Sequence, residues 1–90
     1  MPDSPAQVAD DDLLTTVAAV LTRAGVPGQI DVDTNLWEFG MDSLVSVSVM
    51  VGVETTYDIE FPDELLTRER FSTVANIATA VRLTVAGGLA

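Results

Sequence analysis

The chain contains no cysteine, no histidine and no lysine, and only one tryptophan and one tyrosine. Each absence removes a class of function. Without cysteine there is no disulfide framework and no thiolate metal site. Without histidine the usual general base, the commonest metal ligand and any Ser-His triad are gone. Without lysine a Ser-Lys pair is also excluded. Four arginines against fourteen acids give a formal net charge of −10. That balance repels nucleic acid and anionic lipid and favours partners with basic patches. No apolar run is long enough to span a membrane, and the start "MPDSPAQVADDD" is acidic where a secretory leader is basic. The expected compartment is the cytoplasm.

What is present suffices for one small domain. Of 90 residues, 48% are hydrophobic, which argues against disorder. Residues 1–8 carry two prolines and little apolar pattern, so a flexible N-terminus is expected. From Asp10, Leu13, Leu14, Val17, Val20 and Leu21 recur at helical spacing. Asp10, Asp11 and Asp12 suit the positive end of that helix, and Gly25 and Pro27 stop it. Residues 25–42 read as a long ordered loop pinned by Ile30, Leu36, Trp37 and Phe39. Pro62, Asp63 and Glu64 open a short helix with Leu65 and Leu66 on its apolar side. Ser72 is the expected N-cap of a last helix with Val74, Ile77, Ala78, Val81 and Val85 on one face. Gly87 and Gly88 end it, and residues 87–90 form a loose tail, which leaves the folded unit at 9–86.

Between these lies "FGMDSLVSVSVMVGVETTY". Valines 45, 47, 49, 51 and 53 alternate with other residues, the pattern of a half-buried strand. Yet no other segment alternates, and a lone strand leaves its backbone groups unpaired. The stretch is therefore read as a helix. Leu44, Val47, Val51 and Glu54 then share one side, and Val49, Met50, Val53 and Tyr57 face the core. The fold class is all-α: a small four-helix bundle of three main helices and one short one.

Three chemistries compete around Ser43. Asp31, Asp33 and Asn35 match the first ligand positions of a calcium loop, but Leu36 stands where the turn needs glycine. "GMDSL" is not a nucleophile elbow, and the chain supplies no base to activate the serine. The remaining reading makes Ser43 a substrate of another protein. At a helix start its hydroxyl would sit beside free N–H groups suited to a phosphodiester. Against this stands the plain role of a serine N-cap.

The stretch "TNLWEFGMDSL" resembles the phosphopantetheine attachment motif of acyl carrier proteins, with an apolar pair before a glycine and then x-Asp-Ser-Leu. Val47, Met50, Val53 and Tyr57 fall where that family has core residues, and "DIEFPDELL" is similar to its approach to a short third helix. The likeness covers about residues 10 to 85. It implies that Ser43 carries a covalent 4′-phosphopantetheine arm from coenzyme A. A magnesium-dependent phosphopantetheinyl transferase would install it, with Asp42 orienting metal and serine. It also implies a monomeric, non-enzymatic carrier. Met41, Leu44, Val47, Val51 and Glu54 would meet partners such as an acyltransferase, an adenylating ligase or a synthase. Ser48 and Thr55 stand where carriers of fatty-acid synthesis hold acids. Recognition is therefore expected to be more apolar, in a polyketide or mixed polyketide–peptide pathway making secondary metabolites. The alternative is a small acidic interaction module with Ser43 unmodified.

Overall fold

The computed structural model describes residues 9–26 and 28–87, and among these it is helical throughout, with no strand. The expected flexible segment 1–8, Pro27 and the tail from Gly88 onward lie outside the described residues. Four α-helices follow in order: α1 (Asp10–Arg23), α2 (Leu36–Phe39), α3 (Ser43–Tyr57) and α4 (Val74–Val85). A 3₁₀ turn at Asp63–Leu65 lies between the last two. The expected class, three long helices and a short one in a small bundle, is the one observed.

Helix α1 packs against both α3 and α4. It buries Leu13, Val17, Val20 and Leu21, with Leu14 half-buried at the stripe's edge. Helix α4 contributes Val74, Ile77, Ala78, Ala80 and Val81, and α3 contributes Val49 and Val53. No polar or charged residue is buried in this core among the described residues. The core is thus a simple apolar seam, as a chain this small requires. An ion pair, Arg82 to Asp10 at 2.6 Å, joins α4 to the start of α1. Both side chains are only partly covered, 42% and 37% exposed, so solvent screens the pair and its contribution is small.

Gly52 explains how α1 and α3 come together. A Cβ placed on it would lie 2.8 Å from Val20 Cγ2. The helix accepts a residue of low propensity because only a bare backbone fits beneath the α1 valine.

Two sequence expectations are corrected. The N-cap of α4 is Thr73, whose side chain accepts from the Asn76 N–H, not Ser72. Ser72 instead uses its carbonyl to accept from the Leu36 N–H at 2.7 Å, and its hydroxyl donates to the Glu69 carbonyl. The short helix expected after Pro62 is only a 3₁₀ turn. It buries Leu65 and leaves Leu66 exposed. Meanwhile the long loop contains a true helical turn, α2, which buries Leu36. That loop is tied down by the Leu36–Ser72 bond, by Ala75 N–H donating to the Val32 carbonyl, and by Trp37 Nε1–H donating to the Arg68 carbonyl. An edge-to-face pair, Phe61 and Phe71 at 5.6 Å, packs beneath.

Candidate functional site

The site is assembled by the turn between α2 and α3. Asn35 Oδ1 caps α2 by accepting from the Glu38 N–H at 3.0 Å. The turn of helix ends at Gly40, whose φ of +134° is open to glycine and strained for other residues. Both the Gly40 and Met41 N–H groups donate back to the Leu36 carbonyl. This reversal drops the Met41 side chain into the core and turns the next residues outward.

Asp42 follows in an extended conformation and is the N-cap of α3. Its Oδ1 accepts from the Val45 N–H at 2.9 Å, and its carbonyl accepts from the Ser46 N–H at 2.8 Å. Ser43 is the first helical residue and is exposed. The capping role that competed for Ser43 therefore falls to its neighbour. The serine hydroxyl stands at the positive end of a 15-residue helix without being needed to hold it.

Beyond Ser43, α3 divides its valines between two faces. Val49 and Val53 are fully buried, whereas Leu44, Val47 and Val51 are 82%, 53% and 49% exposed. Two of the expected partner contacts are corrected. Met41 is 3% exposed and is core. Glu54 is half-buried, and its Oε2 accepts from the Phe61 N–H at 2.9 Å, so its carboxylate holds the loop that follows α3. Since Glu54 is the only charged residue in α3, the helix's outer face carries no free charge in a chain of net charge −10.

Ser43 also borders a groove of about 550 Å³ between α3 and the 66–71 segment, with Trp37 on its third side. The Arg68 guanidinium stacks 4.1 Å from the centroid of the Trp37 ring. Sequence reasoning named Trp37 only as a pin and did not single out Arg68. The residues are thirty-one apart, and no local pattern links them.

The calcium reading fails on geometry. Asp31 Oδ1 is taken by the Asp33 N–H and the Thr34 hydroxyl within its own turn. Leu36, at the position where a calcium loop needs glycine, is buried in α2. Among the described residues no group of three acidic side chains is placed to hold a metal ion.

A helical bundle that holds an exposed serine at the tip of a main helix, behind an aspartate that does the capping, is built as a carrier domain. Comparison with known proteins gives the family. The sequence profile of the phosphopantetheine attachment site matches residues 11–81. The chain is 36% identical over 76 residues to an aminoacyl carrier protein of Agrobacterium fabrum, covering 80% of this chain and 92% of that one. It is 39% identical over 59 residues to a non-reducing polyketide synthase of Byssochlamys spectabilis, which is 63% of this chain but 3% of that protein. Among solved structures it is similar to a carrier-protein chain, with a TM-score of 0.68 and 35% identity over 79% of this chain and 97% of that one. That structure is an engineered Bradyrhizobium japonicum glycine:[carrier protein] ligase complexed with a carrier protein from Agrobacterium tumefaciens and ATP. The chain belongs to the phosphopantetheine attachment site family and is a carrier protein, with 4′-phosphopantetheine as its covalent cofactor.

Proposed function

We propose that Ser43 is the attachment residue and that the chain carries acyl or aminoacyl groups as thioesters between enzymes. The observation that carries this reading is the division of labour at the α3 tip. Asp42 caps the helix, and the adjacent Ser43 hydroxyl is left exposed for modification. The residues fit the cofactor. A phosphodiester on Ser43 would lie at a helix N-terminus, where backbone N–H groups and the helix dipole favour negative charge. On modification the Ser43 Oγ would bond to the phosphorus on the pantetheine side of the coenzyme A pyrophosphate, the P–O–P bond would break to release the adenosine bisphosphate, and a separate magnesium-dependent transferase would take the hydroxyl proton. Once attached, the arm supplies the thiol that the sequence lacks.

An adenylating aminoacyl ligase is the partner class best supported. The related carrier is solved with such a ligase, and the related Agrobacterium protein is named an aminoacyl carrier. The uncharged face of Leu44, Val47 and Val51, with exposed Leu66 nearby on the groove, suits apolar contact at the docking surface. The surrounding acids then steer basic partners from a distance rather than fix them. Contacts of this kind are small and short-lived, as repeated hand-over requires. The polyketide synthase likeness favours a polyketide or mixed polyketide–peptide setting.

The test is intact mass after incubation with coenzyme A, magnesium and a broad-specificity phosphopantetheinyl transferase, beside Ser43→Ala. One added arm, absent in the variant, is expected. No added mass on folded protein would overturn the reading and leave an unmodified interaction module.

A further inference from the structure

A second groove, of about 460 Å³, runs between α1 and α3 and shares no lining residue with the groove beside Trp37. Thr15, Thr16 and Arg23 of α1 and Thr55 and Thr56 of α3 line it. The rest of its wall is small and apolar, Ala19, Val20 and Gly52. Fourteen acids are spread over the chain, yet none lines this groove. Arg23 is its one charged residue, is exposed, and forms no ion pair among the described residues. The other cations differ. Arg82 pairs with Asp10, and Arg68 stacks on Trp37 and shares a pocket with Glu38 and Glu69. Asp11 and Asp12 begin α1, and at 1.5 Å per residue Asp12 is about 16 Å from Arg23 along the helix, beyond a screening length of about 8 Å. The only acid of α3, Glu54, is held by the Phe61 N–H.

We propose that the adenylating ligase docks across α3 onto this groove, and that Arg23 pairs there with a carboxylate of the ligase. The proposal rests on the carrier reading and names a contact of that same partner. A chain of net charge −10 draws in a basic surface. A carboxylate on that surface is repelled by most of the carrier and finds a match at Arg23. The pair therefore fixes the register of docking, because a partner seated elsewhere sets like charges together. The way to Arg23 is open. Exposed Ser48, Val51 and Thr55 lie between it and Val47, so a partner on the Val47 face reaches the groove without burying a carrier charge. The guanidinium offers a carboxylate two parallel N–H donors. Thr15 and Thr16 donate their hydroxyls to the Asp11 and Asp12 carbonyls, whereas the Thr55 and Thr56 hydroxyls have no partner among the described residues and can add to the contact. Arg23 also lies in the last turn of α1, where a cation suits the helix dipole. That role acts on folding alone, so the affinity of folded protein for the ligase separates the two.

The experiment uses holo-protein, armed from coenzyme A by a broad-specificity transferase, with ATP, glycine and the engineered Bradyrhizobium japonicum glycine:[carrier protein] ligase. The KM for the carrier and kcat are read from aminoacylated product, and circular dichroism confirms that each variant is folded. Arg23→Gln should raise KM roughly tenfold and leave kcat within about twofold, the pattern of a binding contact made equally in ground and transition states. Arg23→Glu should raise it further. Thr79→Glu lowers the net charge as much as Arg23→Gln does, on an exposed position of α4 outside the groove, and should leave KM within about twofold. Arm transfer from coenzyme A should be unchanged in all three. Failure of folded protein to take the arm would refute the carrier reading itself. Holo-protein that takes the arm but no glycine would overturn the ligase as occupant. An unchanged KM in Arg23→Gln, or equal shifts in Arg23→Gln and Thr79→Glu, would overturn the pairing.

Discussion

The tip of α3 places two capping residues side by side, Asp42 and Ser43, and the structure assigns the cap to the first. Replacing each in turn separates structure from chemistry. Asp42→Ala removes the Oδ1 that accepts from the Val45 N–H. Loss of such a cap costs about 1 kcal/mol. The same change removes a negative charge from the helix's positive end, worth a further ~0.3–1 kcal/mol. The sum is about 1.5 kcal/mol. For a domain of this size, that lowers the melting midpoint by roughly 6–12 °C. Asp42→Asn keeps an accepting side chain and loses only the charge, so it should fall by about 0.3–1 kcal/mol. Ser43→Ala removes an exposed hydroxyl that does not cap, so its stability should stay within about 0.5 kcal/mol of the parent. Thermal melts followed by circular dichroism on the three apo-variants give the ranking directly. The expected order of loss is Asp42→Ala, then Asp42→Asn, then Ser43→Ala. If Ser43→Ala proved as costly as Asp42→Ala, the serine would be a structural cap. The argument that its hydroxyl is free for modification would then fail.

Three further outcomes are expected. Gly52→Ala gains about 1 kcal/mol of helix propensity. It also forces a Cβ against Val20 Cγ2, an overpacking cost of roughly 1–3 kcal/mol. A net loss in a thermal melt is expected, and a gain would show that α1 and α3 separate easily. Val47→Glu places charge on an exposed, uncharged face, so melting and arm loading should be unchanged. Aminoacyl transfer from an adenylating ligase should fall by roughly tenfold, the loss expected of one central interface contact, and unfolding would instead make Val47 a core residue. Burial raises the Tyr57 pKa, with Asp12 adding to the rise and a hydrogen bond with Thr16 opposing it. Below pH 10 tyrosine is protonated in both folded and unfolded chains and contributes no slope; above it the unfolded chain ionises first, so stability falls as pH rises toward the folded value. With no cysteine or lysine to titrate nearby, denaturant melts of apo-protein across that range should show a decline that Tyr57→Phe removes.

Helices α1 and α4 were legible because their apolar spacing is driven by a single core, whereas α3 was placed only by the lack of a strand partner for its alternating valines. In α1 the stripe read from the sequence is the one that is buried, except for Leu14 at its edge. The short elements were not. Helix α2 has four residues, too few for any period to appear, and it is held by the distant Ser72 carbonyl. Both capping ambiguities, Asp42 against Ser43 and Ser72 against Thr73, have one cause. Two adjacent residues can each cap, and the choice is made by register. The helix must start where Val49 and Val53, or Ile77 and Val81, meet the core. In both cases a contact far along the helix, not the local residue type, selects the cap.

The alternating valines carry the same lesson into function. A spacing of two contains a spacing of four, so one run supplies two helical rows. Val49 and Val53 form the inner row and hold α3 in the bundle. Val47 and Val51 form the outer row, and no packing demand accounts for them. A surface helix ordinarily places charged or polar side chains there. In a chain this acidic, keeping charge off that face leaves an apolar strip running from beside Ser43 along the helix. The strand-like pattern arises because the fold and the proposed docking surface both use valine, on opposite sides of one helix.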